Sequence, residues 1–306
     1  MTTPYPEGSV NAYLLLGNPV TLIDTGIWLD DSVRQIHQAL MNVGLDWKDI
    51  DQIVVTHMHT DHTGGVHAIQ REVDAPIFVH SGARFALQGG MAEFERVNAY
   101  FQDFFRACGA EGKVTRNHKY REQKWAGVHY VDDGDVIRAG SRDYQVLYVP
   151  GHSQTDICLW NEEAGDAFVG DHLLKDISAN AFMEPPSPAQ ADRLKALLQY
   201  RSSMARTRAL AFRTVYPGHG SPYVGHQSLI DARFQEHEER CEAILQHVQD
   251  GLSTIYEISS AMFPWLQGGA VFLGLSEIMG HMDLLVERSV VKVESNQGVL
   301  VYTAQS

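Results

Sequence analysis

Three cysteines are all that this chain of 306 residues contains, and Cys108, Cys158 and Cys241 lie far apart. An odd, scattered set argues against a disulfide framework and points to a reducing, cytoplasmic setting. No apolar run reaches the roughly 20 residues needed to span a bilayer. The N-terminus, MTTPYPEGSVNAYLLLG, has no basic region followed by a long apolar core, so no signal peptide is expected. Repeats and low-complexity blocks are absent. Positive charge is scarce: 24 Lys and Arg stand against 38 Asp and Glu, a net −14. That balance weighs against broad attraction to nucleic acid or anionic membrane, though it leaves room for a local basic patch. What remains is an ordinary globular composition, 44% hydrophobic and 20% charged. At this length it fits one large domain, or one domain with a small appendage.

The patterning divides the chain at about residue 225. Before it, NAYLLLG and VTLIDTG are expected strands joined at an Asn-Pro turn. DDSVRQIHQALMNVGL has helical spacing, with Val33, Ile36, Leu40 and Val43 on one face and Gly44 as the stop. DQIVVTH is a buried strand, then a helix after Gly65, then the strand PIFVHS; this alternation implies an α/β layer. Residues 81–125 break the pattern with an aromatic-rich amphipathic helix and a polar, basic stretch, an expected insertion. Strands resume at VHYVDDGDVIRAG, YQVLYVPGHS, DICLWNEEAGDAFVGD and TVYPGHG, with a helix over SPAQADRLKALLQYRSSMA. The expected organisation is a catalytic domain over 1–225 and a small domain over 226–306. The latter has three helices, one N-capped by Thr254, and a hairpin with an Asn-Gln-Gly turn, which is a winged-helix outline.

Chemistry concentrates in VVTHMHTDHTGG, where His57, His59, Asp61 and His62 fall within six residues behind an apolar run. Neutral imidazole and carboxylate are the usual ligands of zinc and similar divalent ions. In an extended segment residues i and i+2 point the same way, so His57 and His59 aim at one point. Asp61 and His62, after the chain has begun to turn, face a second point nearby. Gly64 and Gly65 are expected to permit that turn, since glycine accepts backbone angles other residues resist. Three more strand ends offer ligands: His152 in VPGHS, Asp171 in FVGDH and His219 in YPGHG. Each follows an apolar run and a glycine, and such edges commonly carry the chemistry of α/β folds. A lone loop histidine is usually just solvated, which is the expected state of His67, His80, His118 and His129. A lone Asp after Gly is usually a turn former. The joint recurrence is what lifts the other seven residues above that background.

Taken in order, His57-x-His59-x-Asp61-His62, Gly151-His152-Ser153, Gly170-Asp171 and Pro217-Gly218-His219-Gly220 resemble the metallo-β-lactamase fold hydrolases over about residues 8 to 225. With no ligand cysteine, the resemblance is to the glyoxalase II, lactonase and ribonuclease branches. It implies an α/β fold, a four-layer αββα sandwich with two metals at one edge. His57, His59 and His152 would hold one metal, Asp61, His62 and His219 the other, and Asp171 would bridge them. Asp24 in LIDTG matches a family position that braces the metal loop; its plainer reading is a turn Asp. HEERCEAILQHVQDGLSTIYEISSAMFP and HMDLLVERSVVKV resemble the winged-helix-like domain of the lactamase-β-like branch, which includes endoribonucleases and polyketide-synthase thioesterases.

Two divalent ions are therefore the expected cofactors, zinc first, with iron or manganese as alternatives because no thiolate biases the choice. A shared water acidified by two cations gives hydroxide at neutral pH, and Asp61 can orient it while binding metal. Such a site serves small acyl esters and thioesters, the favoured substrates, and also phosphodiesters, the runner-up as a phosphodiesterase or endoribonuclease. A non-catalytic metal-binding regulator is the third reading. From 226 to 306 there are eleven acidic and four basic residues, whereas a domain that tracks a polyanion should be basic. The expected partner is a small molecule rather than nucleic acid or membrane, with the C-terminal domain a packing or dimerisation module of a possible homodimer. The one compact basic stretch holds Lys113, Arg116, Lys119, Arg121 and Lys124. It is either a solvated loop or, through Lys119 and Arg121, a grip on an anionic substrate handle. Phe94, Tyr100, Phe101, Phe104 and Phe105 form either an apolar lid or, for most of them, the core of the helical insertion.

Overall fold

Period-two apolar segments pair into two five-stranded sheets in the computed structural model, which describes residues 1–4, 8–114, 119–120 and 124–305. The first sheet runs β1 (Tyr13–Leu15), β2 (Thr21–Ile23), β3 (Gln52–Val54), β4 (Ile77–His80) and β5 (Val128–Val131), in that order. The β1–β2 pair is antiparallel and the rest are parallel. The second holds β6 (Val136–Ala139), β7 (Arg142–Tyr148), β8 (Ile157–Asn161), β9 (Asp166–Gly170) and β10 (Thr214–Pro217), antiparallel except for the parallel β9–β10 edge. Both sheets are thus mixed. A hairpin of β11 (Val291–Asn296) and β12 (Val299–Ala304) lies outside them.

Parallel neighbours need crossovers, and helices supply them. α1 (Asp30–Asn42) joins β2 to β3; the single turns α2 (Thr60–Thr63) and α3 (Val66–Ile69) join β3 to β4. Then follow α4 (Arg84–Gln88), α5 (Gly90–Ala107), α6 (Ala196–Arg208), α7 (His226–Gln249), α8 (Ile255–Met262) and α9 (Val271–Glu287). The expected helix over residues 187–205 begins only at Ala196. Val43, placed on the apolar stripe of α1 by spacing, is 49% exposed at the helix C-cap.

Strand alternation sends side chains to two cores. Ile23 and Val54 of the first sheet meet Ile137, Tyr144, Val146, Ile157, Leu159 and Phe168 of the second, so the sheets pack face to face. On the opposite face of the first sheet, Leu22, Ile53 and Ile77 pack with Ile36 and Leu40 of α1, and with Val66 and Ile69 of α3. Each such buried side chain contributes roughly 1.5–3 kcal/mol of transfer free energy.

The chain forms two compact units. One comprises Met1–Gln88, Gln123–Ala179 and Ser203–Ile230; the other comprises Gly89–Glu122, Asn180–Ser202 and Asp231–Ser306. Both sheets lie in the first. In the second, Phe101, Phe104 and Phe105 of α5 are buried against Phe272 of α9. They are core residues of that unit. Thr254 caps α8 reciprocally with Glu257. At the tip of the hairpin Gln297 and Gly298 both take positive φ, 51° and 84°, the geometry that suits a two-residue turn. The stretch Gly268–Glu287, 20 residues, is long and apolar enough to cross a membrane, contrary to the expectation from sequence. Of its most apolar 18-residue window 61% is buried, as in a core helix.

Candidate metal centre

β2 and β3 are parallel, as are β9 and β10, and β7 runs in the same direction as β9 through two antiparallel pairings. The C-terminal ends of these strands therefore deliver side chains to shared edges of the two sheets. Asp24 follows β2, the His57–His62 segment follows β3, His152 follows β7, Asp171 follows β9 and His219 follows β10. The fold brings all seven proposed ligands together. Candidate donor atoms of His57, His59 and His152 lie within 4.8 Å of one another, as do those of His57, His62 and Asp171, and those of Asp61, His62 and His219. Asp171 faces both sides: Oδ2 is 3.6 Å from His152 Nε2 and 3.4 Å from His219 Nε2, while Oδ1 is 3.4 Å from His62 Nε2. His219 Nε2 also stands 3.4 Å from Asp61 Oδ2.

Hydrogen bonds settle which nitrogen each ring presents. His62 Nδ1–H donates to Asp24 Oδ2 at 2.8 Å, and His219 Nδ1–H to the Ser9 carbonyl at 2.9 Å. His57 Nδ1 lies 3.1 Å from Thr56 Oγ1. The Nε2 atoms of all three rings, and Asp171 Oδ1, are buried without a hydrogen bond. Buried polar atoms are normally satisfied, and unsatisfied lone pairs converging on one point are costly unless a cation lies among them. In the other group, His152 Nε2 and His59 Nδ1 converge to 3.0 Å. These donors fit divalent metal ions.

By the protein's own charges, burial pushes the His57 imidazole well below its usual range, helped by His62 and His59 beside it. Burial acts the same way on His62, but the Asp171 and Asp24 carboxylates outweigh it and hold that imidazole well above. For Asp171 burial favours the neutral acid, yet the His62 charge and the His219 imidazole 3.4 Å away keep it well below the usual carboxylate range. His219 is raised to about 9: burial opposes, and Asp171 and Asp61 prevail. The site thus sets ionised carboxylates beside imidazoles that are more basic than usual at His62 and His219 and less basic at His57, and a cation can take the place of protons there.

Glycine opens the space. A Cβ at Gly218 would sit 2.2 Å from Asp171 Oδ1 and 2.6 Å from His62 Cε1. Gly64 and Gly65 have ordinary helical angles, φ −61° and −78°, so the backbone freedom expected of them is not what they supply. They allow close approach instead: Cβ atoms there would lie 2.2 Å from Trp28 N and from Thr25 O. The α2 turn is thereby pressed onto the Asp24 loop, where Thr25 N–H and Oγ1–H both donate to the His62 carbonyl, at 2.8 and 2.9 Å.

His67 and His129 are exposed as expected, and His118 lies outside the described residues. His80 is not solvated: it is 8% exposed and stacked on Tyr148 with ring centroids 4.1 Å apart. Lys119 is exposed, in the second unit, and Arg121 lies outside the described residues. Sequence reasoning missed Thr56 and Asp156. Asp156 Oδ1 lies 3.6 Å from His57 Nδ1, and Oδ2 accepts the Ser153 N–H at 2.8 Å, fixing the turn that carries His152. Its position four residues after His152 was the available signal.

Residues 5–219 match the metallo-beta-lactamase superfamily. This chain belongs to that superfamily. It is similar to the "Probable metallo-hydrolase YqjP" of Bacillus subtilis, 29% identical over 288 residues, which cover 92% of this chain and 89% of that protein. It also resembles the "Acyl-coenzyme A thioesterase MBLAC2" of Homo sapiens, 33% identical over 178 residues, 55% of this chain and 60% of that one. Among solved structures, a metallo-beta-lactamase family protein from Thermus thermophilus superposes with a TM-score of 0.82 at 25% identity, covering 100% of this chain and 97% of that chain. Within the superfamily, the chain is a metal-dependent hydrolase with a His/Asp metal-binding site.

Proposed function

We propose that the protein hydrolyses a small acyl ester or thioester at a dinuclear metal site. His57, His59 and His152 would hold one ion and Asp61, His62 and His219 the other, with Asp171 placed to serve both. The observation that carries this reading is Asp171, whose Oδ2 lies near both His152 and His219 and whose Oδ1 lies near His62, so that one carboxylate reaches residues of both groups. Zinc is the proposed metal, since imidazole and carboxylate suit it. Two such ions supply Lewis acidity to the electrophile and lower the pKa of water. The protein's own groups do the rest. Asp61, beside His219, would orient the attacking water by accepting its hydrogen bond. Asp24, Thr56 and Asp156 hold the rings so that their free nitrogens face inward. Burial of the site keeps these charges in a low dielectric, where they act strongly.

The acyl preference is supported by the likeness to acyl-coenzyme A thioesterases and by the acidity of residues 226–306, which suits RNA poorly. The order α7, α8, α9 and hairpin is compatible with a winged-helix-like module, here for packing or self-association. Cys108, Cys158 and Cys241 are buried and free, which suits a reducing, cytoplasmic compartment. The test is a metal-loaded comparison, at physiological salt, of acyl thioesters, esters and lactones with single-stranded RNA. Metal-dependent turnover of an acyl substrate is expected. Efficient RNA cleavage with negligible acyl hydrolysis would overturn the assignment.

A further inference from the structure

Asp24 touches more than the loop it follows. Its Oδ1 accepts the Thr56 backbone N–H at 2.8 Å, and its Oδ2 accepts both Thr56 Oγ1–H and His62 Nδ1–H, each at 2.8 Å. A threonine hydroxyl has one proton. With that proton committed to Asp24, Thr56 Oγ1 offers only lone pairs to His57 Nδ1, 3.1 Å away. His57 is therefore the donor, and its Nε2 is left free. One carboxylate thus fixes the tautomer of a ring in each group, directly for His62 and through a hydroxyl for His57. We infer that Thr56 is a positioning residue through which Asp24 orients His57 of one metal position as well as His62 of the other. The inference rests on the dinuclear reading proposed above.

The surroundings leave this chain of contacts little freedom. Asp24 is 3% exposed and Thr56 2%, so bulk water cannot replace either link. Asp24 is held at φ +58°, with its N–H bonded to the Val54 carbonyl at 2.9 Å. From the other side the backbone before Asp171 closes in: a Cβ on Gly170 would lie 2.8 Å from Thr56 Oγ1. Thr56 therefore stands between the Asp24 loop and two ligand-bearing segments, its own and that of Asp171. Asp156 also faces His57 Nδ1, at 3.6 Å; among the described residues it is Thr56 whose hydroxyl touches both that ring and Asp24.

The experiment is a double-mutant cycle read by metal binding. Metal-free protein is titrated with Zn²⁺ against a chromophoric chelator to obtain two stepwise dissociation constants. Outer carboxylates of metal-bound histidines typically contribute about 10–100-fold to affinity. D24N should weaken both constants by factors in that range. In a T56V background, D24N should weaken only one of them, and T56S should restore the effect on both. D24N weakening a single constant in the otherwise native protein would overturn the inference, with no Thr56 variant required. So would D24N effects that are the same with and without the T56V substitution. Circular dichroism of the metal-free variants checks folding, and T56A replaces T56V if the valine form does not fold. A native protein that takes up no zinc would instead sink the dinuclear reading, whereas two ions bound with a one-site D24N effect would sink this inference alone.

Discussion

A methyl group at Gly218 has nowhere to go, because the nearest atoms are the functional ones, Asp171 Oδ1 and His62 Cε1. The clash can be relieved only by moving a carboxylate or an imidazole of the site. Gly218→Ala is expected to fold, at a cost of about 1–3 kcal/mol as in other overpacked sites, and to lose bound metal. Elemental analysis of the purified variant checks this; a full metal complement would show that the site tolerates the shift. Asp171→Ala should abolish hydrolysis and reduce metal content while leaving the circular dichroism spectrum intact, since Asp171 lies at a strand end rather than in either hydrophobic cluster. Near-native turnover would count against its bridging role. The seven candidate ligands were legible in the sequence because their context is local: four crowd into the end of one strand, and the other three each follow a strand and a glycine. Thr56 was not, because its role exists only where residues 24, 56 and 57 meet. Nor was the purpose of Gly64 and Gly65, which is set by the loop pressed against them.

Among the elements, periodicity placed α1, α5, α7, α8 and the ten sheet strands well, since each buries one face or two. It failed at the start of α6. Residues before Ala196 have helical composition, yet Arg193 is drawn into a two-pronged pair with Asp283 of α9, at 2.7 and 2.5 Å. No spacing rule reveals a partner ninety residues away. The cap of α8 was legible, because a capping box is a four-residue signal. Thr254 Oγ1 accepts the Glu257 N–H at 3.2 Å and Glu257 Oε2 accepts the Thr254 N–H at 3.0 Å. Thr254→Ala should destabilise the protein by about 1 kcal/mol without changing metal content. Urea unfolding measures the first and elemental analysis the second; an unchanged midpoint would mean that the cap is redundant.

For the molecule as a whole, acid stability should depend on a histidine far in sequence from the ligands. His237 of α7 is 6% exposed, and burial, then His281 and Arg201, push its pKa down to about 3. Unfolded, it titrates near 6.5. A depressed folded pKa means that the unfolded state takes up the proton first, so the contribution is complete above about pH 6.5 and is lost as pH falls toward 3. His237→Gln should flatten the fall of the urea midpoint between pH 7 and pH 4.5. Parallel curves for the two proteins would exclude His237 as a source of that acid sensitivity.

The bond from His219 Nδ1 to the Ser9 carbonyl joins positions 210 residues apart. A growing chain that has emerged as far as Asp171 already carries six of the seven candidate ligands. It lacks the seventh until β10 has been made, and the carbonyl that aims that seventh ring was among the first residues synthesised. On the dinuclear reading proposed above, the second ion would be captured only by a chain whose early and late segments have both arrived and met. Metal retention becomes a register of completeness: a nicked or stalled chain that loses either side of this clasp should release an ion before it loses its sheets.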